Sequence, residues 1–166
     1  MYDKLTESDI KKMEAEIEHR KLVIRPQAAQ DVKEAAAQGD RSENFEYYAA
    51  KKFLRQNDSR IRYLERMIRT AEVIPDDSAE DEVGLNNTVT IEFVEDGEIE
   101  TYKIVTSVRA DSISGMITNV SPLGKALLGK KVGDIAHVEV NSSVSYDVKV
   151  VKIENTDDSD DEIRSF

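Results

Sequence analysis

Between Tyr47 and Ala71 the chain repeats one pattern without a break. Tyr47, Ala50, Leu54, Asn57, Ile61, Leu64, Ile68 and Ala71 follow one another at alternating spacings of three and four. Such a heptad seam commits one face of a helix to a partner helix. Asn57 stands inside the seam, where a polar residue fixes register at some cost in stability. Arg55, Arg60, Arg62, Arg66 and Arg69 fall mostly off it and are expected to stay wet. Pro75 marks the end of the segment.

The preceding segment also favours helix. Thr6 is a candidate N-cap, Glu7 and Asp9 suit the first turn of a helix dipole, and Leu5 and Ile10 have the spacing of a hydrophobic staple. Ile10, Met13, Ile17 and Ile24 make an intermittent apolar stripe, extended by Ala28, Val32, Ala35 and Ala36. Pro26 interrupts it and predicts a bend rather than a stop. Only Gln38-Gly39-Asp40-Arg41-Ser42 separates the two segments, and so short a link implies antiparallel neighbours. Residues 43–74 would span on the order of 45–50 Å at about 1.5 Å per residue. An arm of that length suits delivery of its tip into a narrow space; periodicity alone is equally compatible with a dimer.

The second half has a different period. An acidic linker, 76–86, leads into Val89, Ile91 and Phe93 alternating with polar residues, then the hairpin signal Asp96-Gly97 and a return strand from Ile99 to Val105. Further strands are expected at Ile113–Ile117, Ile135–Val140 and Val144–Ile153. A short helix should open at Ser121-Pro122, with proline in its first turn, and close near Gly129. The fold class is therefore α+β: a helical hairpin over 1–75 and an antiparallel β domain with one short helix over 87–154. Residues 155–166, with the like-charge run Asp157–Glu162, read as a disordered tail.

Composition removes several functions. The chain has no Cys, so neither a disulfide framework nor a thiolate metal site is open to it. No stretch approaches the roughly 20 apolar residues of a membrane span, and the start lacks a signal-peptide pattern; a soluble, cytoplasmic protein is expected. The net charge is −11. Residues 1–75 are nearly balanced, with 15 basic against 14 acidic residues, while 76–166 hold 8 against 20. Neither half has the basic excess that sequence-specific duplex binding requires.

Asp40 and Glu43 carry the candidate chemistry, and two readings stand beside each other. Asp-x-x-Glu at a helix start is the pattern of a capping box, with Asp40 as N-cap and Glu43 at N3. Two exposed carboxylates at that spacing also suit Mg²⁺, which takes one or two carboxylates plus water and phosphate oxygens, although alone they make a weak site. Lys51, Lys52 and Arg55 follow within a few turns, as a solvated face or as contacts to an RNA backbone. His19 and His137 have no Cys or His at ligand spacing, and no Gly-rich phosphate loop or nucleophile elbow is present.

The run Gly39-Asp40-Arg41-Ser42-Glu43-Asn44-Phe45-Glu46-Tyr47-Tyr48-Ala49-Ala50-Lys51 resembles the tip motif of the GreA/GreB family. The run from Ser121-Pro122-Leu123-Gly124 to Gly133-Asp134 is similar to that family's C-terminal signature, and Arg25-Pro26 matches a basic-Pro pair in its first helix. The resemblance covers the chain to about Asn155. It implies an N-terminal coiled coil, an FKBP-like C-terminal domain, and docking at the secondary channel of bacterial RNA polymerase through Ser121, Pro122, Leu123, Leu127 and Leu128. It further implies that Asp40 and Glu43 help hold a Mg²⁺ of the polymerase active site against the nascent RNA 3′ end. No metal would be bound stably by the isolated protein. Asn44, Glu46 and Tyr47 would support the tip, and Arg41, Lys51, Lys52 and Arg55 would contact RNA or polymerase. The factor itself would be a monomer and no enzyme, stimulating cleavage that the polymerase performs. Phe45 departs from the small residue common in the family, and Tyr48 from a His or similar. A channel-binding inhibitor of the same fold is the alternative, and a dimer with an isomerase domain a more distant one.

Overall fold

The computed structural model describes residues 3–38, 44–76 and 79–165. Asp40, Arg41 and Glu43 lie outside the described residues. The chain divides into two compact units: Ile10–Ala71 in one, and Lys4–Asp9 together with the chain from Glu72 onward in the other.

The first unit is a helical hairpin. Helix α1 (Glu7–His19) passes through a π-helical turn (Arg20–Ile24) into α2 (Arg25–Ala36), and α3 (Phe45–Thr70) returns. Pro26 lies in the first turn of α2 and accounts for the π turn. Lacking an N–H, it cannot continue the α ladder, and Arg25 N–H instead reaches the Arg20 carbonyl five residues back. The helices run antiparallel, because partners on one side ascend as those on the other descend. Glu16 meets Arg60, Arg20 meets Asn57, and the Ala35 carbonyl meets Asn44.

Every member of the α3 seam is buried or partly buried, with Ile61 and Leu64 at its centre. Asn57 is buried and bonds Arg20 twice, accepting from Nη1 at 2.9 Å and donating to the Arg20 carbonyl at 3.2 Å. The register function expected of this residue thus has a geometry, since both bonds fail if the helices slide by one turn. Arg60, expected to stay wet, is instead buried, donating from Nε and Nη2 to Glu16 at 2.9 and 3.3 Å.

Glu16 also accepts from Arg20 Nε at 2.8 Å. Burial pushes its carboxyl up, but the hydrogen bonds from Arg60 and Arg20 and their two charges outweigh this and leave it below the ordinary 4.5. A carboxylate whose folded pKa is depressed stabilises the fold fully above its unfolded pKa, and this is lost as pH falls through the folded value. Glu16→Gln is therefore expected to flatten the loss of stability below about pH 4.5, measured by urea melts of helix signal at stepped pH. Parallel curves for the two proteins would show that Glu16 is not a source of the acid sensitivity.

The second unit is α+β. Its five-stranded sheet has the order β5-β4-β3-β7-β6, from β3 (Thr88–Phe93), β4 (Ile99–Val105), β5 (Met116–Thr118), β6 (Ile135–Glu139) and β7 (Ser145–Glu154). Helix α4 (Pro122–Leu127) follows β5. Val89 and Ile91, Ala136 and Val138, and Val148 and Val150 alternate inward and form the core with Ile104, Leu123 and Leu127. Three of the four pairings are antiparallel as expected, but β4 and β5 pair in parallel. The strand expected from Ile113 begins only at Met116. Asp111 accepts from Ile113 N–H and Ser114 Oγ, and Gly115 has φ +74°, so a turn occupies those positions. A bulge between Thr90 and Ile91 leaves Val151 outside the register and partly exposed.

Three further features depart from expectation. Strands β1 (Lys4–Leu5) and β2 (Glu72–Val73) form a short parallel pair, too brief for a periodicity to reveal. The segment 76–86 is not wholly linker: Val83 belongs to the core, and Asn86 and Asn87 are buried. The tail is not free of structure either. Arg109 is fully buried, donating Nε to Asp9 Oδ1 and Nη1 to Asp161 Oδ2, the latter at 2.8 Å. Lys103 reaches Asp161 Oδ1 at 2.9 Å, and Arg164 N–H donates to the Val108 carbonyl. Asp161 of the tail is thus answered by two cations, one from β4 and one from the turn beyond it.

Candidate functional site

The start of α3 is capped by Asn44, not by Asp40. Asn44 Oδ1 accepts from Tyr47 N–H at 3.0 Å, and its Nδ2 donates to the Ala35 carbonyl at 2.6 Å. One side chain thus caps α3 and ties it to the end of α2. The capping-box reading of Asp40 and Glu43 gives way, because the cap sits four residues after Asp40. Thr6 does make the cap expected of it, in a reciprocal box with Asp9 at 3.1 Å each way.

Beyond the cap, Glu46 is exposed and Tyr47 partly buried. The Tyr47 and Tyr48 rings meet edge to face at 5.4 Å, and Lys51 Nζ lies 5.6 Å from the Tyr47 ring centre. Lys51, Lys52 and Arg55 are all exposed. Among the described residues, no group of three or more His, Cys, Asp or Glu is placed to hold a metal ion.

The second signature run forms α4 and its approach. Ser121 is the N-cap, accepting from Gly124 N–H at 3.1 Å while its hydroxyl donates to the Thr118 carbonyl at 2.7 Å. Proline occupies the first turn, as expected. Leu123 and Leu127 are buried in the core, so they cannot meet a partner directly; helical periodicity turns them inward. Leu128 is half-buried. The surface they support is a groove of about 600 Å³ lined by Val120, Pro122, Lys125, Ala126, His137, Glu139 and Val140. Of the expected docking residues, only Pro122 lines it. Val120, Lys125 and Val140 also line it, and the pattern in which Leu123 and Leu127 face inward is what turns Lys125 outward.

Gly124 is what lets α4 lie so close to β5. A Cβ added there would fall 2.0 Å from the Thr118 carbonyl oxygen, a backbone atom. Gly124→Ala is expected to cost about 3 kcal/mol, because the backbone must move to admit it. A urea melt measures this directly, and a variant as stable as the parent would show that the helix has room to shift.

Comparison with known proteins follows this division of the chain. Residues 4–73 match the family described as transcription elongation factor, N-terminal, and residues 78–155 match transcription elongation factor, GreA/GreB, C-term. The class is that of two-part transcription elongation factors, and the chain belongs to the GreA/GreB family. It is 47% identical over 153 residues to transcription elongation factor GreA of Streptococcus gordonii, spanning 92% of this chain and 95% of that one. It is 44% identical over the same shares to GreA of Streptococcus pneumoniae serotype 19F. A solved structure of GreA factor homolog 1 (Gfh1) from Thermus thermophilus aligns over 93% of this chain and 100% of its own, with 25% identity and a TM-score of 0.43. Among the described residues, no helix is long and apolar enough to cross a membrane.

Proposed function

We propose that this elongation factor binds bacterial RNA polymerase through its secondary channel and stimulates Mg²⁺-dependent cleavage of backtracked RNA at its 3′ end. The observation that carries the reading is the Asn44 cap. It holds the facing ends of α2 and α3 together and leaves Asp40 and Glu43 without a structural duty as the cap. The donor set fits the ion, since two carboxylates supply hard oxygens and leave its other positions to water, phosphate and the polymerase. Asp40 and Glu43 would hold the ion, which when bound supplies an activated water and charge neutralisation at the phosphodiester. The groove beside Pro122 is the surface that docks on the polymerase. Catalysis then belongs to the polymerase, and this chain lends it ligands.

The direct test adds the protein and Mg²⁺ to backtracked elongation complexes carrying 5′-labelled RNA. Shortened RNA that resumes extension is the expected product. RNA of unchanged length, or slowed nucleotide addition without cleavage, would replace this reading with that of a channel-blocking inhibitor.

A further inference from the structure

Beyond β7 the chain returns over the second unit as a strap, and its grip is almost entirely polar. Lys103 Nζ donates to the Asp157 carbonyl at 2.6 Å and to Asp161 Oδ1 at 2.9 Å, and Arg109 Nη1 donates to Asp161 Oδ2 at 2.8 Å. Arg164 N–H donates to the Val108 carbonyl. Of residues 157–165 only Asp161 is buried, and Ile163, the one aliphatic residue among them, is half-buried. A cavity of about 720 Å³ lies between residues 160–165 and the turn at 110–114, so the strap spans its bed and does not fill it. A segment with so little apolar burial belongs to the low-stability end of a fold and opens while the rest stays folded.

Asp161 is placed as a ligand would be. Its two oxygens meet two cations, one each, in a cradle completed by Asp9. Lys103, Arg109 and Asp9 lie within the stretches matched to the family, whereas Asp161 lies beyond them. The tail also leaves the cradle incompletely used. Arg109 Nη2 is buried with no hydrogen-bond partner among the described residues. A carboxylate set end-on to the guanidinium would bond Nη1 and Nη2 together.

We infer that the tail is an internal stand-in, and that the cradle of Lys103 and Arg109 takes an acidic peptide of a partner when the strap lifts. The strap is the template for that peptide. It sets a carboxylate between the two cations, an aliphatic side chain two residues on at Ile163, and a backbone N–H against the Val108 carbonyl. Cation clusters of this kind read acidic segments. A nucleic acid has the charge but neither the aliphatic group nor the N–H, and a half-chain with 8 basic against 20 acidic residues repels a polyanion. The tail is a competitive lid: its tether to β7 keeps its local concentration high, which excludes weak acidic ligands. It yields to a peptide that also engages Nη2.

The test uses the full chain and, as probe, a fluorescein-labelled peptide of residues 155–166. Asp161→Ala in the protein removes the internal ligand and leaves both cations. The probe should bind this variant roughly tenfold or more tighter than it binds the parent, and less tightly as salt rises. Asp161→Asn in the probe, or Lys103→Ala added to the variant, should each weaken binding about tenfold. In the parent, the Arg164 amide should exchange its hydrogen well before the amide of Val150, a core residue of β7. Equal binding to parent and variant, no binding to either, or binding indifferent to the probe's Asp161 would overturn the inference. So would displacement of the probe by an RNA oligonucleotide as readily as by unlabelled peptide. An Arg164 amide that exchanges only together with Val150, or an Asp161→Ala variant that unfolds, would make the strap part of the core and end the inference equally.

Discussion

Arg109→Ala is expected to destabilise the C-terminal unit by about 3–5 kcal/mol, a large part of what holds a domain of this size together. The guanidinium is fully buried between the carboxylates of Asp9 and Asp161, which are themselves almost fully buried. Asp9 keeps the Thr6 N–H and the Thr106 hydroxyl, at 3.1 and 2.7 Å, and Asp161 keeps Lys103. What remains is one more carboxylate than the site has cations, without water to solvate it, and the uncompensated charge is the main cost. Asp161→Asn should cost less, because the amide retains an acceptor for one of the two donors. With no Trp in the chain, urea unfolding followed by circular dichroism and tyrosine fluorescence is the appropriate measurement. A loss below about 1 kcal/mol for Arg109→Ala would mean that the site rearranges or admits water, and that the ion pairs contribute little.

The second large effect falls on activity. Asp40→Asn combined with Glu43→Gln keeps the size and shape of both side chains and removes their charge. On the proposed reading the double variant should lower the rate of stimulated cleavage on the order of 100-fold, the scale seen when one preorganised electrostatic partner is removed from a reaction centre. Polymerase affinity should not change, because the docking groove lies on other residues. Raising Mg²⁺ should recover part of the loss, since weaker ligands demand more of the ion. Helix content should also hold, because Asn44 supplies the cap. Cleavage at the parent's rate by the neutral pair would sink the role assigned to both acids. Asn44→Ala separates structure from chemistry: it should cost about 1 kcal/mol of stability through the lost cap, with a smaller effect on cleavage than the acid pair.

The features legible in the sequence are those set by neighbours along the chain. The α3 seam, the Thr6 cap, the proline in the first turn of α4 and the Asp96-Gly97 turn all follow from spacings of a few residues. At that turn, Gly97 adopts φ +76° and donates to the Phe93 carbonyl. Features that depend on distant partners were hidden. The acidic tail reads as solvated because its cations, Lys103 and Arg109, stand some fifty residues away. Arg60 looks like a surface residue until Glu16 is brought to it across the hairpin. The cap of α3 was misplaced because Asp40 and Asn44 are both able to cap, and only the bond to the Ala35 carbonyl decides between them. As for the acid pair, its spacing left it open between two duties, and the family resemblance, rather than periodicity, pointed to metal chemistry.

The family match ends at residue 155, whereas the carboxylate that shares Arg109 with Asp9 comes six residues later. Cutting the gene at the family boundary would leave Arg109 with Asp9 alone and take from Lys103 both Asp161 and the Asp157 carbonyl. The last residues and the middle of the domain are therefore coupled: without the segment after residue 155, Lys103 and Arg109 each lose a carboxylate.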